Sequence, residues 1–400
     1  MSLKFLGKTT LVTLALMCAL DAWLSLAHPL ANLPTVGLDR SEIFNAVRAY
    51  RQRTKSPDIV LLGSSLVTAP FMQAEAELKQ APVARMTERE SVAFQNCLAS
   101  RLGLSPDVFC LAVGGEMVSD AYLIARNEIF SSRPPAAIVY GIAPRDFQDN
   151  LLRDLVSTQP FQLLSDVGDL RGMLSSETVS FERKMSLCLE RVWALWRYRS
   201  DIRTYFSLRA KKVMEATMPW IVFDKYGETL DLKPRKRGWF PEEAKGVLRA
   251  WPGVALDHLS AEATMEEYRR RYNPVNAELI AEENTYLRRF LHLCKEKGVA
   301  VLMVNMPLSA ANKKLMAPGF YDDYLRCLSL ECSKCGVEFV NLDDHRFDKA
   351  DNFVDTVHLT PQVSHKFLEA LADVFAGCRV AQALSKDDAA LAIDGHNRAY

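Results

Sequence analysis

Two short runs of this 400-residue chain carry residue types that can perform nucleophilic catalysis. Near the front, Asp58-Ile-Val-Leu-Leu-Gly63-Ser64-Ser65 reads as a buried strand running into a Gly-Ser-Ser turn. Roughly 290 residues later, Asp355-Thr-Val-His358-Leu-Thr-Pro361 stands just before a helical pattern. A serine hydroxyl needs a base in contact to act as a nucleophile at neutral pH. Histidine supplies that base, and a carboxylate fixes the imidazole tautomer and stabilises the imidazolium. The spacing of three between Asp355 and His358, taken as one helical turn, puts both side chains on the same side. The same residues also have a plain structural use. Ser65 can cap a helix, and Asp355 and His358 can serve as turn or capping groups. What separates the two readings is whether the fold brings the front and rear runs together.

The elements that would do so are legible as five short apolar runs: 59–62, 108–113, 136–142, 299–305 and 337–342. Each is rich in Val, Ile or Leu and lies beside a stretch with helical periodicity, as buried parallel strands do. The expected helices cover 41–53, 89–102, 117–131, 276–297, 320–335 and 361–377. Strands alternating with helices predict an α/β fold with a parallel sheet between helical layers. In such sheets the working site lies at the carboxyl ends of the strands. Gly63-Ser64-Ser65, Gly114-Gly115 and the run from Gly141 to Asp146 all fall at such ends.

Between the third and fourth runs lie about 155 residues without strand alternation, holding five of the six tryptophans: Trp193, Trp196, Trp220, Trp239 and Trp251. From Glu182 to Lys212, Arg and Lys interleave with aromatic residues in a helical pattern, which suits a membrane interface, a partner groove or a solvated face over an aromatic stripe. Lys233-Pro-Arg-Lys-Arg-Gly238 reads as an exposed loop. The expected organisation is an anchor and linker over 1–35, the first half of the α/β domain over 36–150, an insertion over 151–275, the second half over 276–380 and a tail over 381–400.

Lys4 and Lys8 precede an apolar stretch from Thr9 to Ala27 that carries one charge, Asp21. A membrane-spanning helix needs about 20 such residues, and flanking lysines favour a cytoplasmic N-terminus. Asp21 would be costly deep in lipid and is tolerable near the outer interface. The expectation is a retained single-pass anchor with the main domain outside the cytoplasm. The alternatives are a cleaved signal ending near Ser25-Leu-Ala27 and a buried amphipathic helix. Basic and acidic residues number 49 each, so overall charge gives no reason to expect a nucleic-acid partner. Cys332-Ser-Lys-Cys335 has no second Cys-x-x-Cys or matching histidine pair, so no metal is expected. In an oxidising compartment those two cysteines could bridge.

On the motifs just quoted, the chain resembles the SGNH (GDSL-like) hydrolases. Within them it is similar to the membrane-anchored extracytoplasmic branch that includes the D-alanyl transfer protein of lipoteichoic acid alanylation and polysaccharide acetylation accessory proteins. The resemblance covers about 58–146 and 297–377. It implies a flavodoxin-like three-layer α/β/α fold of about five parallel strands. It makes Ser65 the nucleophile, with Asp355 and His358 completing the triad. Leu111-Ala-Val-Gly114-Gly115 matches the second block and makes the Gly115 N–H, with that of Ser65, an oxyanion donor. The third block departs from the family: Gly141-Ile-Ala143-Pro-Arg145-Asp146 has alanine where asparagine, the second oxyanion donor, is expected. Arg145 could supply positive charge there, and Gly114, Arg145 and Asp146 are candidate substrate-binding positions. The implied function is a serine acyl-esterase or O-acyltransferase acting on an acylated cell-envelope or exported glycan, or on a small acyl ester. It would work beside a membrane-bound O-acyltransferase, without metal or organic cofactor. The rival is a non-catalytic protein of the same fold that binds glycan or scaffolds an acyltransferase. A secreted lipase-like esterase is a third reading.

Overall fold

The computed structural model describes residues 3–27, 38–84, 88–131, 134–152, 155–175, 179–197, 249–250 and 261–384, with isolated positions between 202 and 218. The expected linker before 38, the basic loop 233–238, Trp220, Trp239, Trp251 and the last 16 residues lie outside the described residues. The chain divides into two compact units. One comprises Met1–Leu38 and Asp166–Arg235, and the other Asp39–Ser165 and Lys236–Tyr400.

In the first unit, helix α1 spans Leu3–Ala27. Its stretch Thr10–Ala27 is long and apolar enough to cross a membrane. In the second unit, α2 (Leu38–Arg51) leads to strand β1 (Ile59–Gly63), helix α3 (Ser65–Lys79) and helix α4 (Val92–Leu102). Strand β2 (Val108–Cys110), helix α5 (Val118–Ile124) and strand β3 (Ala137–Ile142) follow, then the short helix α6 (Gln159–Leu164). The first unit resumes with α7 (Val167–Ser175), α8 (Phe181–Val192) and α9 (Ala194–Arg197). The second then adds α10 (Ala261–Tyr272), α11 (Ala277–Glu296), strand β4 (Ala300–Asn305), α12 (Ala310–Lys313), α13 (Phe320–Cys335), strand β5 (Glu338–Asn341) and α14 (Pro361–Gly377).

The five strands form one parallel sheet in the order β2-β1-β3-β4-β5. Because α3, α4 and α14 pack together on one face and α5, α11 and α13 lie along the other, the central strands are buried on both sides. This is why they read as unbroken apolar runs rather than alternating ones. Ile59, Leu61, Val139, Leu302 and Val304 join Phe71, Phe94, Phe367 and Phe375 in one core. On the opposite face the Tyr140 and Phe290 rings meet edge-on at 5.2 Å.

Three expected elements end differently. The run 108–113 stays in the sheet only to Cys110. Beyond it the N–H groups of Leu111 and Ala112 both bond the Leu61 carbonyl, and Val113 bonds that of Gly63, so the backbone turns across the end of β1. The helix expected from 89 begins at Val92, because Arg89 to Ser91 run beside β2, with Cys110 N–H on the Arg89 carbonyl. The helix expected over 117–131 changes after Ile124 to a π-helical turn, Ala125–Ile129. Helix α3 also carries Pro70 and is buried from Leu66 to Ala76, so it has no 3.6-residue periodicity to reveal it. Arg249–Ala250, inside the expected insertion, pairs antiparallel with Val83–Ala84.

The switch in chain direction across the sheet falls between β1 and β3, where Gly63 and Gly141 are register partners. Gly63 has φ +134°, and a Cβ there would sit 2.3 Å from the Gly141 carbonyl oxygen and 2.6 Å from Val67 Cγ2. Only glycine allows the chain to turn so tightly from β1 into α3. Gly63→Ala is therefore expected to destabilise the fold by about 3 kcal/mol or more. Chemical denaturation of both proteins checks this, and equal midpoints would contradict it.

Candidate active site

Ser65 is the first residue of α3, on the turn that Gly63 makes. Ser64 is extended (φ −83°, ψ −162°) and its carbonyl accepts the N–H groups of Val67 and Thr68. Ser65 thus projects from the open N-terminal turn of a helix, where unpaired N–H groups favour negative charge. It is half-buried among buried neighbours.

Asp355 and His358 do not lie on a helical turn. They occupy an irregular loop between the bridged residues Phe353 and Leu359, just ahead of α14. The carboxylate makes the geometry that a helix was expected to make. Asp355 Oδ1 accepts the N–H groups of Val357 and His358, each at 2.8 Å, folding the loop around it. Asp355 Oδ2 lies 2.7 Å from His358 Nδ1, and His358 Nε2 lies 2.9 Å from Ser65 Oγ. With the proton on Nδ1 donated to Asp355, Nε2 is the acceptor that faces the serine hydroxyl. His358 is 9% exposed. Burial alone would raise the pKa of Asp355, but the His358 charge and the hydrogen bonds from His358 and Val357 outweigh it and pull the pKa down to about 2.

A second set of contacts, with no local signature among the residues that make it, fixes this loop. Thr356 lends its carbonyl to the N–H of Ser309 at 3.2 Å and its hydroxyl to Asn312 Nδ2 at 3.1 Å. Asn312 is fully buried, and its Oδ1 accepts the Tyr272 hydroxyl at 3.0 Å. The loop carrying Asp355 and His358 is thereby tied to the β4–α12 connection and to α10.

The second glycine block sits beside the serine turn. Gly114 N–H donates to Glu42 Oε2 at 3.1 Å, so it is already engaged. Gly115 has φ +77°, and neither its N–H nor that of Ser65 has a hydrogen-bond partner among the described residues. Glu116 braces the corner. Its two carboxyl oxygens accept the N–H groups of Gly63 and Val113, each at 3.2 Å, linking the end of β1 to the turn that follows β2. Burial, with Asp120 and Asp146 nearby, pushes Glu116 well above the usual carboxylate range.

Ala143 offers no donor side chain, and its N–H bonds Asp146 Oδ2 at 2.9 Å. Arg145 takes the space beside the glycines. Its Nη1 donates to the Glu116 carbonyl at 3.2 Å, Nη2 to Asp149 Oδ2 at 2.8 Å, and Nη2 lies 3.5 Å from where a Cβ on Gly115 would be. Burial would lower its basicity, but Asp149 and Asp146 more than reverse this, so it stays charged. Arg271 from α10 also pairs with Asp149. Burial pushes Asp146 up to about 7, against the pull of Arg145. The structure therefore gathers Ser65, His358, Asp355, Gly114, Gly115, Arg145 and Asp146 at the carboxyl end of the sheet.

Other candidates lie elsewhere. A cavity of about 780 Å³ opens at the opposite end of the strands beside Asp58, Asp107 and Arg53 and includes none of these residues. None of the nine cysteines is in a disulfide, Cys332 and Cys335 included. Among the described residues no group of three or more His, Cys, Asp or Glu side chains is placed to hold a metal ion. No family model matches the chain, and no curated protein matches it.

Because Asp355 is more acidic folded than unfolded, its stabilisation is complete above about pH 4 and is lost as pH falls through about 2. The difference corresponds to about 2 kcal/mol. Asp355→Asn should lack this acid-dependent component, while the raised carboxylates contribute alike to both proteins and cancel. Unfolding free energies measured from pH 5 to pH 2 should converge for the two proteins. Parallel curves would show that Asp355 is not held as an ion.

Proposed function

We propose that this chain is an SGNH-like serine enzyme that moves acyl groups between oxygen nucleophiles. The substrate class is an acylated cell-envelope or exported glycan. The observation that carries the reading is the continuous Asp355–His358–Ser65 hydrogen-bond series at the carboxyl edge of the sheet. The sheet order, counted along the chain as 2-1-3-4-5, with Ser65 following β1 beside the point where that order reverses, supports a flavodoxin-like reading.

In the first step Ser65 Oγ attacks the acyl carbonyl while its proton passes to His358 Nε2. Asp355 stabilises the resulting imidazolium through Nδ1–H. The carbonyl oxygen, now negative, meets the N–H of Ser65 at the start of α3 and that of Gly115 on the loop after β2. Arg145 stands next to Gly115 as a fixed positive charge where the family's asparagine is missing. Collapse of the tetrahedral species expels the alcohol oxygen, which takes the proton from His358 and leaves an ester on Ser65. A water or sugar hydroxyl then attacks that ester and gives its proton to His358; as the bond from Ser65 Oγ to the acyl carbon breaks, Ser65 Oγ takes that proton back and the acid or the new ester leaves. Each step uses only side chains and backbone of this chain, so the reading requires no metal or organic cofactor.

Helix α1 would hold the enzyme at a membrane, with Lys4 and Lys8 on the cytoplasmic side and the α/β unit outside. A membrane-bound O-acyltransferase is the partner class that the resemblance suggests. The non-catalytic rival draws on Ala143, which leaves the family's second oxyanion donor absent. Removal of one such donor commonly lowers turnover by about two to three orders of magnitude without abolishing it.

The test is labelling by a fluorophosphonate together with hydrolysis of a small acetyl ester. The wild-type chain should be labelled at Ser65, and Ser65→Ala should lose both labelling and at least about 10³-fold in turnover. An unlabelled wild-type chain without esterase activity would favour the scaffold. Unchanged turnover in Ser65→Ala would remove Ser65 from the chemistry.

A further inference from the structure

We propose that α8 and its junction with α9 lie on a lipid bilayer, in the headgroup zone where α1 emerges from the hydrocarbon. This rests on the reading of α1 as a membrane anchor. All the residues concerned belong to the first compact unit.

Along Thr10–Ala27 the side chains are almost all exposed, with Leu11 at 71% and Leu16 at 65%. The exceptions cluster near the C-terminal end, where Leu24 is 3% exposed and Asp21 is half-buried. There α9 docks on α1. Asp21 Oδ1 accepts the backbone N–H of Leu195 at 2.7 Å, in the first turn of α9. The one charged side chain of the apolar stretch thus has a partner supplied by a segment 174 residues away. A carboxylate with a polar partner belongs at the edge of the hydrocarbon rather than its centre. Its bonding partner must sit at the same depth.

What surrounds this point has the composition of a membrane interface. Trp193 and Trp196 stack with ring centroids 6.3 Å apart, and Trp23 on α1 is 53% exposed. Tryptophans gather where an apolar ring can face acyl chains while its N–H stays wet. Trp196 Nε1 donates to Ser186 Oγ of α8 at 3.2 Å, which ties α8 to the same site. Helix α8 then presents Phe181, 76% exposed, and Met185, 47% exposed, one turn apart. Cys188 and Leu189 continue that stripe at i+7 and i+8, while Glu182 and Lys184 flank it. A helix with one apolar stripe and charged flanks, joined to the exit of a spanning helix, is built to lie in the interface plane. The apolar surface of α1 has to be covered by lipid, and the α8 stripe is attached to its end. The bilayer is therefore the occupant to which this surface is continuous.

The experiment uses the full chain in nanodiscs of phosphatidylethanolamine with phosphatidylglycerol. The photoreactive residue p-benzoylphenylalanine replaces Phe181, Met185 or, as the control beside the stripe, Glu182. After irradiation, mass analysis of the peptides should show lipid adducts at positions 181 and 185, at least about fivefold above position 182. Adducts to a second copy or to another segment of the chain would overturn the proposal, as would equal lipid labelling at all three positions. Retention in the disc separates the two readings. A chain that stays in the disc without lipid adducts on α8 refutes only this inference, and a chain that leaves the disc refutes the anchor as well.

Discussion

The contact between Ser65 Oγ and His358 Nε2, 2.9 Å long, joins residues 293 positions apart, and the candidate chemistry depends on it. A single hydrogen bond contributes about 1 kcal/mol and could not hold two such distant segments together. Closure is carried by the sheet and by the helix layer over it. Both α3, which bears the serine, and α14, which follows the histidine, pack on the same face, and their buried residues share one core through Phe71, Val67, Phe367 and Leu371. The serine and histidine meet because the helices that begin beside them lie side by side. The contact between Ser65 and His358 is a consequence of core packing, and the hydrogen bond only sets the last ångström.

The corner around the serine is governed by how closely backbones approach. Gly63 and Gly141 face each other in register at the end of β1 and β3, and neither position has room for a side chain: a Cβ on Gly141 would meet Val67 Cγ2 at 2.4 Å. That crowding presses α3 against β3 and aims its first turn at the glycines after β2. Glu116 then links Gly63 at the end of β1 to Val113 on the turn after β2 through its two oxygens. With Gly114 committed to Glu42, the N–H that remains for a ligand on that loop is Gly115. Arg145 is held in the same corner by Asp149 and the Glu116 carbonyl, so its charge is fixed in place without a flexible side chain having to settle.

The parallel sheet was legible because its central strands are buried on both faces and read as continuous Val, Ile and Leu runs, the first three of the five runs reaching a glycine at their carboxyl ends. The meeting of Ser65, His358 and Asp355 was legible because Gly-Ser-Ser and Asp-x-x-His are local patterns that survive without knowledge of the fold. Strand and helix ends were less so: Leu111 to Val113 are as apolar as the strand before them, and only hydrogen bonds to Leu61 and Gly63 show that they leave the sheet. The geometry of Asp355 and His358 was misread as helical, since a spacing of three suits a helix and also a loop wound around a carboxylate. Glu116, Asn312, Thr356 and Tyr272 carried no signal. Each acts through partners distant in sequence, and nothing in their own neighbourhoods distinguishes a buried brace from a solvated side chain. The link between Asp21 and Leu195 was hidden for the same reason: the sequence shows a carboxylate in an apolar helix but not the amide that meets it.

The unpaired cysteines have a consequence for where such a chain can survive. Burial pushes the Cys110 thiol up to about 11 and that of Cys332 up to about 12, and raises Cys294 as well. Only the thiolate attacks a disulfide or reacts readily with oxidants, and for Cys110 about one molecule in ten thousand carries it at neutral pH. Cys294, Cys332 and Cys110 are also shielded from solvent inside the α/β unit. Their sulfurs are thus inert by kinetics, without needing a reducing environment. The interior of the fold is compatible with either redox regime, so passage from one side of a membrane to the other need not rewire it.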